Sequence, residues 1–132
     1  MQILQPPGWT TPRGYANGIA TRGRLIFVGG QIGWNAQQEF ESDAFVAQAR
    51  QALANVVAVL NEAGGKPAHI VRMTWYVVDK HEYVASYREL GQAYRAVIGR
   101  HFAAMTAVEV SALIEDRARV EIEATAVVPD DA

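Results

Sequence analysis

The sequence lacks cysteine, and its 132 residues contain no long apolar run and no block of a single charge. Without cysteine the chain has neither a disulfide framework nor thiolate chemistry. No run approaches the roughly 20 apolar residues that a membrane helix needs. Residues 1–8 also lack the basic and apolar regions of a signal peptide. The composition therefore predicts a cytoplasmic protein with no membrane partner.

The charges are few and nearly balanced, with 12 lysines and arginines against 14 acidic residues. A net charge of −2 without a basic, aromatic-interleaved stripe does not favour nucleic acid as a partner. The sequence has no metal-ligand set, phosphate-binding loop or dinucleotide fingerprint. Half of the residues are hydrophobic, which is enough for one core, and we predict a single domain over residues 1–132.

Two segments near the end of the chain alternate between apolar and polar residues, at 104–113 and 119–128. Period two is typical of half-buried strands. The short charged stretch between them predicts an antiparallel hairpin with a solvated loop. Its polar side would carry Glu109, Glu121 and Glu123. That side is either an ordinary wet surface or the wall of a cleft.

Earlier segments predict further strands and a first helix. Residues 15–20 could form a short strand after an extended lead-in, and residues 25–28 form a firmer strand that a glycine pair ends or kinks. Apolar residues then recur at helical spacing from Phe45 to Leu60. Ser42 or Asp43 could cap the start of this helix, and glycines at 64 and 65 would end it.

The next segments predict a central strand and a second helix. Residues 69–78 are rich in valine and aromatic residues. Asp79 and Glu82 have the spacing of a capping box, and an amphipathic helix would follow as far as Gly99. The order of elements predicts an α+β fold with two helices on one face of a mixed sheet. The other face is apolar in several strands, so we expect a second copy of the chain to cover it.

The chain resembles the reactive intermediate deaminases, the Rid or YjgF family, over nearly its whole length. The resemblance implies a chorismate-mutase-like fold and a homotrimer with three clefts between subunits. The matching positions are Tyr15, the block 25–32, the helix 49–64 with Asn55 inside it, and the closing segments 108–113 and 120–124.

The resemblance also implies a reaction, the hydrolysis of small imines and enamines to a keto acid and ammonia without a cofactor. One relative acts on the larger enamine 2-aminomuconate. Glu121 matches the glutamate that places the attacking water, Gly30 matches a backbone N–H donor, and Tyr15 matches the family's tyrosine. Met105 stands where the hallmark arginine binds the substrate carboxylate. A methionine cannot replace a bidentate arginine, so either the substrate has no carboxylate, or another cation binds it, or the site has lost this chemistry. We predict a non-standard substrate, larger or derived from an aromatic pathway.

Three further departures from the family pattern are Gly29 in place of serine, Gly91 in place of asparagine and Ile114 in place of proline. Each candidate residue also has a purely structural interpretation. Met105 is either an apolar strand residue or part of a pocket wall, and Arg13 is either a substitute cation for the substrate or a solvated loop residue.

The remaining candidates keep the same two interpretations. Trp34 and Trp9 flank the candidate site in sequence, where they would suit a flat ligand or a subunit interface. Arg72 could reach a cleft or an edge, and His101 could move a proton or lie exposed. The alternative to an imine deaminase is a non-catalytic trimer of the same fold that binds a small metabolite.

Overall fold

A computed structural model describes residues 1–130 of the chain. Within these residues the chain forms six strands, three α-helices and one short 3-10 helix. In chain order they are β1 Gln2–Leu4, β2 Gly18–Ala20, β3 Arg24–Ile32, α1 Phe45–Glu62, the 3-10 helix Pro67–His69, β4 Ile70–Val77, α2 Lys80–Ala85, α3 Tyr87–Val97, β5 Ala104–Glu109 and β6 Val120–Val128. This is the α+β architecture that the sequence predicts.

The main sheet has four strands in the order β3-β6-β4-β5. Strand β6 pairs antiparallel with β3 and with β4, and β5 runs parallel to β4 at the edge. The central position predicted for residues 69–78 is confirmed, because β4 has a neighbour on each side. A separate antiparallel pair joins β1 to β2, so the predicted lead-in contains a strand and the predicted strand at 15–20 is reduced to its last three residues.

The predicted hairpin of the closing segments is wrong. Both segments are strands, but β4 lies between them. Alternation and a polar connection do not distinguish adjacent strands from strands one position apart, and residues 110–119 are long enough to pass the end of β4. The predicted faces are also wrong for β5. Glu109 pairs with Val77 on the helix-covered face and accepts a hydrogen bond from the Lys80 N–H at 2.8 Å, whereas Val108 is 41% exposed.

Helix α1 forms where the apolar spacing predicts it, and its buried face consists of Phe45, Gln48, Ala49, Ala52, Leu53, Val56 and Leu60. The predicted caps are wrong. Ala44 is the N-cap, and its methyl side chain forms no capping hydrogen bond. The Ser42 hydroxyl instead accepts from the Ala44 N–H, and Asp43 pairs with Arg117 at 2.8 Å. The predicted end is confirmed at Gly64, whose φ of 76° is the left-handed conformation that glycine adopts without strain.

The second predicted helix divides into α2 and α3 at Ser86. Its predicted cap is confirmed, because the Asp79 carboxylate accepts from the backbone N–H groups of His81 and Glu82 at 2.9 and 3.3 Å. Glu82 does not complete a capping box. Its carboxylate pairs with Arg119 at 2.7 Å.

The two faces of the main sheet differ in what covers them. Alternate residues of β6 and β4 are buried under the helices, among them Ile122 and Met73, which are fully buried. The opposite face carries Glu121 and Glu123 beside exposed apolar side chains of β3, of which Leu25 is 56% and Phe27 74% exposed. Of the predicted tail 129–132, Pro129 and Asp130 are exposed, and residues 131–132 lie outside the described part of the chain.

Gln48 joins α1 to the segment that precedes β6. Its side chain is 1% exposed, donates to the carbonyls of Ser42 and Arg117 at 3.1 and 3.0 Å, and accepts from the Arg119 N–H at 2.8 Å. These three hydrogen bonds satisfy the buried amide and hold the start of β6 in one position against α1. The position of Glu121 along β6 is fixed with it.

Replacing Gln48 with leucine should lower the free energy of unfolding by about 3 kcal/mol, because it leaves one backbone N–H and two carbonyls, in part-buried hydrogen bonds, without their partner. Urea unfolding of the variant and the natural protein measures this loss. Gln92→Leu, at an exposed position of α3, is the control and should change stability by no more than about 0.5 kcal/mol. Equal losses in the two variants would contradict the role assigned to Gln48.

Candidate functional site

The six residues that the sequence singles out fall into three places in one chain. Arg13, Tyr15 and Met105 line a common cavity, and Gly30 and Glu121 lie against each other at the end of β3. Trp34 belongs to neither group. Met105 pairs with Met73 on the helix-covered face, whereas Glu121 is on the open face, so the sheet separates the two groups.

Gly30 and Glu121 are brought together by an irregularity in β3. The pairing of β3 with β6 shifts between Val28 and Gln31, and the strand then continues so that Ile32 is opposite Glu121. A Cβ added at Gly30 would overlap the carboxylate of Glu121, whereas one at Gly29 would meet nothing within 4 Å. The carboxylate therefore occupies the space that the missing side chain of Gly30 leaves.

Asn55 holds the segment after Gly30 in place. Its side-chain amide donates to the carbonyls of Ile32 and Trp34 at 3.0 and 2.8 Å, and its oxygen accepts from Gln51 at 2.8 Å. These bonds attach the end of β3 to helix α1. They explain why an asparagine lies inside an otherwise apolar helix.

A second carboxylate, Glu123, lies on the same face as Glu121 and is already occupied. The Tyr76 hydroxyl donates to Glu123 Oε1 at 2.7 Å, and this bond raises the pKa of Tyr76 because only the protonated phenol can donate. Arg72, Thr74 and Glu123 line a shallow depression of about 320 Å³ on this face together with Phe27. Arg72 is thus on the open face and not in the cavity of Met105.

The cavity that contains Met105 has a volume of about 690 Å³ and lies on the helix side of the sheet edge formed by β5. Half of its lining residues are aromatic. The lining residues are Arg13, Gly14, Tyr15, Trp75, Tyr83, Tyr87, Leu90, Gly91, Tyr94, Phe102, Met105 and Ala107.

The rings of this wall contact one another edge to face and by stacking. The Tyr83 ring lies 6.2 Å from Trp75 and 5.4 Å from Tyr87, both in T-shaped contacts, and Tyr94 stacks on Phe102 at 5.5 Å. Such contacts hold a rigid apolar surface. The buried indole N–H of Trp75 has no hydrogen-bond partner among residues 1–130.

Arg13 is the single charged residue that lines the cavity. It is exposed and forms no ion pair with any residue of the described range 1–130. The backbone beside it is fixed, because Ala16 donates to the Ala103 carbonyl at 2.9 Å and bridges to Ala104 next to Met105. Arg13 and Tyr15 are therefore held at the edge of β5, where they lie at the mouth of an uncharged aromatic cavity.

The sequence did not single out most of this wall. Tyr83, Tyr87 and Tyr94 have the spacing that predicts the apolar face of a helix, yet Tyr87 is 60% exposed. The spacing does not predict this exposure, because it does not predict that the helix divides at Ser86. Phe102, on the segment after α3, carried no pattern that could have identified it.

The tryptophans that flank the site in sequence do not line this cavity. Trp9 is 61% exposed, and Trp34 packs against Phe40 with ring centroids 5.8 Å apart. His101 is partly buried and not exposed, because its ring contacts the carbonyl of Ile70. It does not line the cavity either.

No helix in residues 1–130 is both long enough and apolar enough to cross a membrane. Over the same residues, no group of three or more histidine, aspartate or glutamate side chains is arranged to hold a metal ion.

The fold is that of a known family of small α+β proteins. The chain superposes on a Yersinia pestis protein of the conserved Rid family with a TM-score of 0.85 at 32% identity, and the match covers 96% of this chain and 98% of that protein. It also matches the YjgF gene product of Escherichia coli with a TM-score of 0.67 at 37% identity, covering 86% and 87% of the two chains.

Sequence comparison agrees with the fold. The family profile described as endoribonuclease L-PSP matches residues 10–128. The chain is 40% identical over 106 residues to a RutC family protein of Haemophilus influenzae, covering 80% of each chain. It is 35% identical over 116 residues to the 2-iminobutanoate/2-iminopropanoate deaminase of Escherichia coli K12, covering 86% of each. The chain therefore belongs to the Rid (YjgF) family, as the sequence predicts.

Tyr94, which lines the cavity, should make the stability of the protein depend on pH. Burial raises the pKa of Tyr94, whose hydroxyl donates to the His101 carbonyl at 2.7 Å. The folded chain holds this proton more tightly than the unfolded chain. Tyr94 therefore contributes fully to the free energy of unfolding below about pH 10, and this contribution decreases as the pH rises beyond that value. In Tyr94→Phe this decrease should be smaller, although at pH 7 the variant loses about 1 kcal/mol with its hydrogen bond.

Urea unfolding at several pH values from 7 to 11 measures this dependence. A decrease of the same slope in the natural protein and in Tyr94→Phe would contradict the assignment.

Proposed function

We propose that this protein is an imine or enamine deaminase, which hydrolyses a C=N bond to a carbonyl and ammonia. The observation that carries the proposal is the Glu121 carboxylate held against the backbone of Gly30, in a family that includes a protein named as an imine deaminase. An iminium carbon is already electrophilic, so the protein has only to orient it, supply water and manage one proton.

In the proposed reaction Glu121 accepts a proton from a water molecule as the water oxygen bonds to the iminium carbon. Glu121 then returns this proton to the nitrogen of the resulting carbinolamine. The C–N bond breaks as the hydroxyl group becomes the carbonyl and gives up its proton to the departing ammonia, which leaves as ammonium. One water is consumed for each carbonyl formed, and no electrons are transferred to or from a cofactor. The N–H of Gly30 is the proposed donor to the substrate.

The proposed substrate is not a small imino acid whose carboxylate is bound by an arginine at position 105. Met105 offers no charge, and apart from Arg13 the residues around it in the cavity are uncharged, half of the lining being aromatic. We propose that Arg13, the single cation of the lining, binds a substrate carboxylate in its place. Tyr15 and Met105 then shape the pocket around the rest of the substrate. Trp34 contributes through its backbone, which anchors the end of β3 to Asn55.

The complete site is proposed to form between copies of the chain in a homotrimer. The sheet separates the Glu121 group from the Met105 group, so one chain cannot present both to one substrate. The exposed apolar side chains of Leu25 and Phe27 favour burial of the open face against another copy of the chain. A neighbour would then supply the second group.

The proposal predicts that Glu121→Gln lowers turnover by at least 100-fold, because a positioned base contributes about 10² to 10⁴ in rate. Gly30→Ala should cause a similar loss, since its methyl group displaces the carboxylate. The substrates for the measurement are 2-imino acids generated in situ by an amino-acid oxidase from alanine, leucine and phenylalanine. Keto-acid formation is compared with the uncatalysed rate.

The chain offers a matched control for each change. Glu123→Gln is isosteric with Glu121→Gln two residues along the same strand, and Gly29→Ala adds a methyl group to open space. Both controls should retain activity within a few-fold of the natural protein. If the natural protein hydrolyses none of these imines faster than water does, the deaminase proposal fails. Ligand binding without turnover would then favour the alternative, a non-catalytic metabolite-binding trimer.

A further inference from the structure

Gly91 is an open position in the wall of the aromatic cavity. It lies within α3, where glycine weakens a helix relative to alanine. Close packing does not account for the glycine, because a Cβ at this position would meet nothing within 4 Å. Its backbone lines the cavity beside Leu90 and Tyr94. The glycine therefore provides space within the cavity, and any larger side chain would project into that space.

The chemistry of the lining describes what this space suits. Tyr83, Tyr87, Trp75 and Phe102 present ring faces and edges, which pack well against another planar ring. The exposed guanidinium of Arg13 at the same cavity can bind a carboxylate with two parallel hydrogen bonds. A cavity of about 690 Å³ is in the size range of sites for ring-bearing ligands and far exceeds the needs of an imino acid of three or four carbons.

We infer that the cavity binds the planar aromatic side chain of a 2-imino acid, and that Gly91 is the residue that makes room for the ring. Arg13 binds the carboxylate of the same molecule, and Met105 contributes apolar surface against which the ring packs. This inference rests on the proposed function, whose reaction it leaves unchanged, and it identifies the class of substrate.

Binding of the stable keto-acid products tests the inference without requiring turnover. Phenylpyruvate carries the ring and pyruvate does not, and titration calorimetry gives the affinity of each. Phenylpyruvate should bind at least about tenfold more tightly than pyruvate to the natural protein. Gly91→Leu should weaken phenylpyruvate binding at least about tenfold, since even one methylene group in an apolar pocket discriminates by this amount.

The control is Ala96→Leu, at an exposed position of α3 that does not line the cavity. It should leave both affinities unchanged. Gly91→Leu should leave pyruvate binding within about twofold, because a small ligand does not reach the filled space. The melting temperature of Gly91→Leu should equal or exceed that of the natural protein, since leucine favours helix formation. Gly91→Ala should give a smaller loss of phenylpyruvate affinity with the same rise in stability.

Equal affinity for the two keto acids, or the same affinities in Gly91→Leu and Ala96→Leu, would overturn the inference. Tight phenylpyruvate binding with the expected loss in Gly91→Leu, but without hydrolysis of any imine, would uphold the ring site and reject the deaminase. Hydrolysis of the alanine and phenylalanine imines at equal rates, unchanged in Gly91→Leu, would uphold the deaminase and reject the ring site.

Discussion

The structure depends on one strand that is paired along both of its edges. Strand β6 bonds to β3 on one side and β4 on the other, and its alternate residues, such as Val120 and Ile122, are buried under the helices. Because successive side chains of a strand point to opposite faces, this burial forces Glu121 to the open face. A slip of one residue would bury the carboxylate, so the apolar side of β6 determines where the candidate base lies.

Local patterns in the sequence predicted most of the elements, and they could not predict how the strands are arranged. The helical spacing from Phe45 to Leu60 and the cap at Asp79 depend on neighbours within a few residues, and both were confirmed. Pairing of β5 with β4 depends on residues about thirty positions apart, and alternation carries no information about it. The family resemblance marked Gly30 and Glu121 as site residues, but neither it nor any spacing predicted their contact within one chain. The aromatic wall was missed because its tyrosines have the spacing of a helix core.

The candidate site therefore has two physically different parts. The part around Glu121 is polar and built from backbone and carboxylate, which suits the handling of water. The part around Met105 is aromatic and carries the single cation Arg13. The same family fold can keep the first part while the second changes, because the sheet separates them and no hydrogen bond among residues 1–130 connects them. Under the proposed function, Met105 in place of the family's arginine changes what the site recognises and leaves the residues proposed to place water unchanged.

We propose that the part around Glu121 in one copy of the chain works together with the part around Met105 in another copy. Co-refolding two variants tests it directly. One variant is Glu121→Gln, and the other combines Arg13→Glu with Gly91→Leu, so each lacks a different part. Hydrolysis of the phenylalanine-derived imine should be low in each variant alone and recover to about a quarter of the natural activity in an equal mixture, as random assembly of cyclic oligomers gives. No recovery in mixed oligomers would contradict the claim.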